Sequence, residues 1–129
     1  MLSGALFYAV SVFLISLPSR RLSMSQIVEL VTFKLLPSAD KGAFAQASEG
    51  VNAFVRDREG FLYRSLCENP KENSWTDIVY WRDMDAAKQA GEMFMTSELT
   101  RGFMSYIDPT SVTMRHLQVA NDSGCSTTA

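Results

Sequence analysis

The chain has 129 residues, a length that suits one domain, and a net charge of -2 with a sequence pI near 5.3. That balance offers no basic field for nucleic acid or for an anionic membrane surface. One histidine, His116, and two distant cysteines, Cys67 and Cys125, supply neither a disulfide framework nor the ligand set of a zinc or copper site, and no calcium-loop motif is present, so no bound metal is expected.

Residues 1–23 stand apart from the rest. Leu2 to Leu17 is almost wholly apolar and is followed by Pro18, Arg20 and Arg21. The run is short for a membrane-spanning helix, which needs about 20 residues. It also lacks the preceding basic residues and the small-residue cleavage site of a signal peptide. The leading expectation is a leader ahead of a start at Met24, with a cytoplasmic domain over 24–120. The alternative is a protein anchored in the membrane or exported through residues 1–23, with Arg20 and Arg21 on the cytoplasmic side of an anchor.

From Ile27 the chain alternates in period. IVELVTFKLL (27–36) predicts a strand with Ile27, Val31, Phe33 and Leu35 on one side and Val28 and Leu30 on the other; Pro37 ends it. Phe44, Ala47, Ser48, Val51, Phe54 and Val55 then recur at helical spacing, with Asp40 as a cap and Gly60 closing the segment. FLYRSLCEN (61–69), the polar turn 69–73 and SWTDIVYWRD (74–83) predict a hairpin. A helix follows over 83–97, capped by Asp83 or Asp85, with Gly91 marking a bend or a close approach. A short helix capped by Ser97 turns Leu99, Phe103 and Ile107 inward. SVTMRHLQV (111–119) is the last strand, and 121–129 is a small, polar, flexible tail.

The order β-α-β-β-α-β predicts an α+β, ferredoxin-like domain with a four-stranded antiparallel sheet and helices on one face. The chain has no element left for the second face, to which Val28, Leu30, Leu62, Leu66, Ile78, Tyr80, Val112 and Met114 are assigned. An apolar patch of that kind calls for a second copy related by a two-fold axis, giving a dimeric α/β barrel.

The succession of IVELVTFKL, GFLYRSLCEN, SWTDIVYWRDMDAAKQA, a helix ending FMSYID, and SVTMRHLQV resembles the antibiotic biosynthesis monooxygenase family over roughly residues 25–120. The marker is W-x-D-x-V-x-W followed by a helix opening D-A-A-K-x-A. The resemblance implies homodimeric ferredoxin-like barrels and a small aromatic or quinol-like ligand. It includes cofactor-independent oxygenases and haem-degrading enzymes. The haem-degrading members carry a ligand histidine on the helix after the third strand, and EMFMTSELTRGFMSY has none. The expected function is therefore a cofactor-independent monooxygenase. The alternatives are a non-catalytic ligand-binding dimer and, disfavoured, a haem-handling protein.

Three side chains are candidates for proton transfer. Asp77 lies between Trp75 and Trp81 on one face of its strand, where burial would disfavour the charged carboxylate and poise it as a base. Its structural alternative is an aspartate near a strand end, hydrogen-bonded to backbone or paired with Arg64 or Arg82. Glu29 sits among apolar residues of the first strand and would approach Asp77 or His116; its alternative is partial solvation or pairing with Arg115. His116 could take a phenolic proton or hold the resulting anion, since imidazoles titrate near neutrality; otherwise it is a structural histidine at the sheet or dimer interface. Trp81, Trp75 and Phe33 are candidate pocket walls, with core packing as the alternative. Arg64 is a candidate for steadying an anionic substrate, with a plain rim charge as the alternative.

Overall fold

The computed structural model describes residues 25–124. The leader or anchor expected over 1–23, Cys125 and the end of the expected tail lie outside the described residues. In chain order the elements are β1 (Ile27–Phe33), α1 (Lys41–Arg56), β2 (Phe61–Asn69), β3 (Ser74–Trp81), α2 (Met84–Phe94), α3 (Glu98–Ser105), a 3-10 turn (Pro109–Ser111) and β4 (Thr113–Gln118). The sheet is four-stranded and antiparallel in the order β2-β3-β1-β4, the ferredoxin-like arrangement expected from the element order. β4 starts two residues later than the pattern predicts, because Asp108 caps Thr110 and winds Pro109–Ser111 into a turn first.

Local chemistry sets the helix starts. The Asp40 carboxylate accepts from the Ala43 N–H at 2.8 Å, and Asp83 accepts from the Ala86 N–H at 2.9 Å. Each satisfies one of the donors that a helix leaves open at its first turn. The Ser97 hydroxyl accepts from the Leu99 N–H in the same way. Phe44, Val51, Phe54 and Val55 of α1 bury their side chains against the sheet and α3. Phe44 is the hub: it meets Phe33 and Trp75 edge-on and stacks on Phe103 at 4.7 Å between centroids.

α3 turns Phe103 inward as expected and Ile107 packs against the core, but Leu99 does not follow them. Leu99 is 49% exposed, while Thr100 and Phe103 are buried. The reason is polar: the Thr100 hydroxyl donates to the Phe94 carbonyl at 2.6 Å, satisfying an acceptor at the end of α2 and fixing the rotation of α3. The segment after β1 then holds the far end of α3. Leu36 donates its N–H to the Tyr106 carbonyl at 2.9 Å, and Asp108 donates to the Lys34 carbonyl at 2.9 Å. Gly91 marks neither a bend nor a close approach. α2 runs through it, and a Cβ there would meet nothing within 4 Å.

Register corrects the assignment of the second sheet face. Leu66 pairs with Asp77 and packs against the core, and Met114 pairs with Val31, so both lie on the helix-covered side. Val112 precedes β4 and faces the same interior space. Leu62 falls in the register shift between Phe61 and Tyr63 and is 44% exposed. The open face is built instead by Val28, Leu30, Ile78, Tyr80 and Leu117. Among the described residues, no helix is long and apolar enough to cross a membrane.

α1 and α3 touch most closely at Gly50, where a Cβ would run into the Leu99 carbonyl oxygen. Alanine normally favours a helix over glycine by up to about 1 kcal/mol. Here backbone blocks it, so Gly50→Ala is expected to destabilise by roughly 1–3 kcal/mol, the usual range for overpacking. Urea unfolding measures this; a stabilised variant would mean that α3 does not lie against α1 at this point.

Candidate functional site

The strand period of two puts Glu29, Val31 and Phe33 of β1 and Asp77, Val79 and Trp81 of β3 on the helix-covered face. Arg64 of β2 and His116 of β4 join them there, because Arg64 pairs with Val79 and His116 lies directly opposite Glu29. All three proton-transfer candidates therefore share one face of the sheet.

Between this face and α2 and α3 lies a cavity of about 330 Å³, within the usual range for small-molecule sites. Its floor is the β1 and β3 residues just named. Its walls come from Val51 and Phe54 of α1, Ala90, Gly91 and Phe94 of α2, and Phe103 and Met104 of α3. Pro109, Val112 and Met114 complete the far end. Gly91 adds only backbone to the α2 wall.

Asp77 is held by Arg64. The Arg64 Nε donates to Asp77 Oδ1 at 2.9 Å and Nη2 donates to Oδ2 at 2.8 Å, a two-point fork. The Arg64 side chain is 3% exposed and that of Asp77 10%. Nη1 of Arg64 donates further to the Ser48 hydroxyl at 2.9 Å and to Asn52 Oδ1 at 2.8 Å, both on α1. The guanidinium carbon also lies 5.4 Å from the Phe103 ring centroid. Of the two partners weighed for Asp77, Arg64 is the one it takes. Arg64 is buried rather than a rim charge, and it does not line the cavity.

Glu29 is placed differently. Its Oε1 accepts from the indole N–H of Trp81 at 2.9 Å and lies 3.7 Å from Nε2 of His116. Its carboxyl is pushed above its ordinary value, first by burial. The Trp81 hydrogen bond and the charge of His116 pull it back, and the charge of Asp77 pushes it up again. Glu29 lines the cavity, whereas His116 stands behind it with 26% of its side chain exposed. Arg115 points to the opposite face, as its pairing with Leu30 requires, so it is not the partner of Glu29.

Of the expected pocket walls, Trp81 and Phe33 line the cavity. Trp75 does not; it is buried edge-on against Phe44. Ser48 and Asn52 join the site without having been singled out from the sequence. A signal for them exists, since Ser48 is a polar side chain inside the apolar stripe of α1 and Asn52 follows it one turn later. Among the described residues, no cluster of three or more acidic, histidine or cysteine side chains is arranged to hold a metal ion.

No family profile and no curated protein matches the sequence. Solved structures do match. SnoaB, a cofactor-independent oxygenase from Streptomyces nogalater, superposes with a TM-score of 0.60 at 16% identity, over 78% of this chain and 98% of that one. A candidate antibiotic biosynthesis monooxygenase from Caulobacter crescentus gives 0.61 at 16% identity, over 77% and 93%. A second, from Bordetella bronchiseptica, gives 0.61 at 14% identity, over 75% and 99%. The chain thus has the ferredoxin-like fold of the antibiotic biosynthesis monooxygenases. At this identity the likeness is one of fold.

Two expectations follow from the buried charges. Removing one partner of a buried ion pair strands the other, at a cost of roughly 3–5 kcal/mol. Arg64→Ala is therefore expected to lose that much stability in urea unfolding, and the apolar double replacement Arg64→Met with Asp77→Leu to recover most of it. A loss under about 1 kcal/mol would place the pair in solvent.

The second concerns pH. Glu29 binds its proton more tightly in the folded chain than in the unfolded one. Its contribution to stability is therefore complete below the ordinary value of 4.5 and is lost as pH rises through the higher folded value. Glu29→Gln keeps an acceptor for Trp81 and has no proton to lose. The stability of the variant relative to wild type should grow as pH rises from about 4.5 and then level off; a flat difference would mean that Glu29 is well solvated.

Proposed function

We propose that the protein is a cofactor-independent monooxygenase of small aromatic or quinol-like compounds, bound in the cavity between the sheet and α2 and α3. The observation that carries this reading is Glu29: a desolvated carboxyl with a raised proton affinity, held by Trp81 at the wall of an otherwise apolar cavity. A base of that kind is matched to abstracting a weakly acidic proton near neutral pH. The fold shared with SnoaB supports the same reading.

In the reaction, Glu29 takes a proton from an activated ring methylene or hydroxyl and leaves an electron-rich anion. The anion gives one electron to O2, and the resulting radical pair joins through a carbon–oxygen bond. The peroxide then loses water to leave a carbonyl. A methylene and O2 become a ketone and water, so four electrons leave carbon, four enter oxygen, and no outside reductant is consumed. His116, 3.7 Å behind Glu29 and partly exposed, is positioned to pass the proton outward. Asp77, committed to Arg64, holds the site's shape and raises the proton affinity of Glu29. Phe33 and Trp81 border the floor on which the ring would lie.

The working unit in this reading is a homodimer in which the open faces, with Val28, Leu30, Ile78, Tyr80 and Leu117, cover each other. The setting is cytoplasmic, which suits the exposed free thiol of Cys67. The haem-handling alternative draws no support from the cavity, whose lining includes no histidine among the described residues.

Oxygen uptake with anthrone-like and hydroquinone substrates tests the activity. Glu29→Gln is expected to lower turnover by about 100-fold or more, the usual contribution of a general base. His116→Ala should cost less and act mainly on the pH profile. Full activity in Glu29→Gln would remove Glu29 as the base. Saturable binding without uptake above the spontaneous rate would favour the ligand-binding dimer.

A further inference from the structure

The cavity is one-sided in charge. Among the described residues that line it, the titratable ones are Glu29 and Asp77, and both are acids. Among the described residues, no lysine, arginine or histidine lines it. Arg64 balances Asp77 and leaves Glu29 without a paired guanidinium. Its fork is turned onto Asp77 and its third arm onto Ser48 and Asn52, so an incoming ligand meets none of it. His116 approaches Glu29 from β4 without reaching the lining.

We propose that the cavity selects by charge: it takes an apolar, ring-bearing molecule that is neutral and presents one hydrogen-bond donor, and it rejects the same skeleton carrying a carboxylate. This deepens the oxygenase reading by naming a substrate class, and it rests on the cavity being the place where substrate binds. A phenolic hydroxyl would donate to Glu29, whose carboxylate has acceptor capacity beyond the Trp81 bond. The rest of the ring system would lie against Val31, Phe54, Phe94, Met104 and Met114. A carboxylate on that skeleton would leave water, find no free cation in the wall, and face the Glu29 carboxylate, because the Arg64 charge is already taken by Asp77. Burying an uncompensated anion there is costly in the same way that leaving Asp77 without Arg64 would be.

Calorimetric titration at neutral pH with 1-naphthol, 1-methoxynaphthalene and 1-naphthoate reads this directly. The three share one ring system and differ in donor and charge. The full-length wild-type protein is expected to bind 1-naphthol at least about tenfold more tightly than 1-naphthoate, a difference of about 1.4 kcal/mol. It should bind the methyl ether, which lacks the donor, more weakly than the naphthol. In Glu29→Gln, whose amide can donate to an anion, the naphthol-to-naphthoate ratio should shrink to within about threefold. Equal or tighter binding of 1-naphthoate by wild type would overturn the proposal, as would a ratio unchanged in a folded Glu29→Gln protein. Failure of 1-naphthol to bind would overturn it too, because a neutral donor on an apolar ring is the ligand it requires. The methyl-ether comparison uses wild type alone and stands even if the variant does not fold. Because no oxygen chemistry is read, charge selection can hold while oxygen uptake is absent. Equally, fast oxidation of carboxylated substrates would overturn the selection and leave the oxygenase reading standing.

Discussion

The fork between Arg64 and Asp77 is the constraint around which the interior is organised. A guanidinium only 3% exposed has to be matched bond for bond, and its partners come from β3 and from α1. One side chain therefore ties the first helix to two strands, and it does so with directional bonds that fix both distance and rotation. The aromatic cluster around Phe44 sits in the apolar core, yet hydrophobic contact alone is tolerant of small slips. The charged fork is less tolerant, because a misplaced partner would leave a buried charge bare.

Its second consequence is at the cavity. By taking both oxygens of Asp77, Arg64 removes that carboxylate from competition and leaves Glu29 as the acceptor facing the open space. Two carboxylates on one sheet face thus end in different conditions. One is neutralised by a cation, and the other is desolvated with a raised affinity for its proton. The cavity depends also on the bond from Thr100 to the Phe94 carbonyl, which holds α3 so that Phe103 and Met104 form a wall.

The likeness to SnoaB and to the two candidate monooxygenases is clear in fold, at TM-scores of 0.60–0.61, and weak in sequence, at 14–16% identity. That combination follows from how the fold is specified. A ferredoxin-like subunit needs alternation in four strands, two crossover segments with one apolar face each, and caps at the helix starts. Many residues satisfy each demand. The chemistry of the cavity hangs on a few positions, and those are free to differ while the shape persists.

Much of this arrangement is legible in the amino-acid sequence. Alternation in IVELVTFKLL and SWTDIVYWRD, the 3.6-residue spacing from Phe44 to Val55 and the caps Asp40, Asp83 and Ser97 set the elements; chain order then sets the sheet. These are local signals, carried by residues near one another in the chain. The candidates Glu29, Asp77, His116 and Trp81 are legible too, as polar or amphipathic side chains at apolar positions. What the sequence leaves open is which partner each takes. Asp77 has Arg64 and Arg82 available, Glu29 has Arg115 and His116, and Leu66 and Met114 have either face of the sheet. Those choices depend on strand register and on the rotation of α1 and α3, and in a pleated sheet a shift of one residue exchanges the two faces. Register is settled only when all four strands and the helices pack together. The alphabet of the site therefore belongs to the sequence, while the division of its acids into one clamped and one facing a cavity belongs to the tertiary structure, because burial and partnership exist only once distant segments have met.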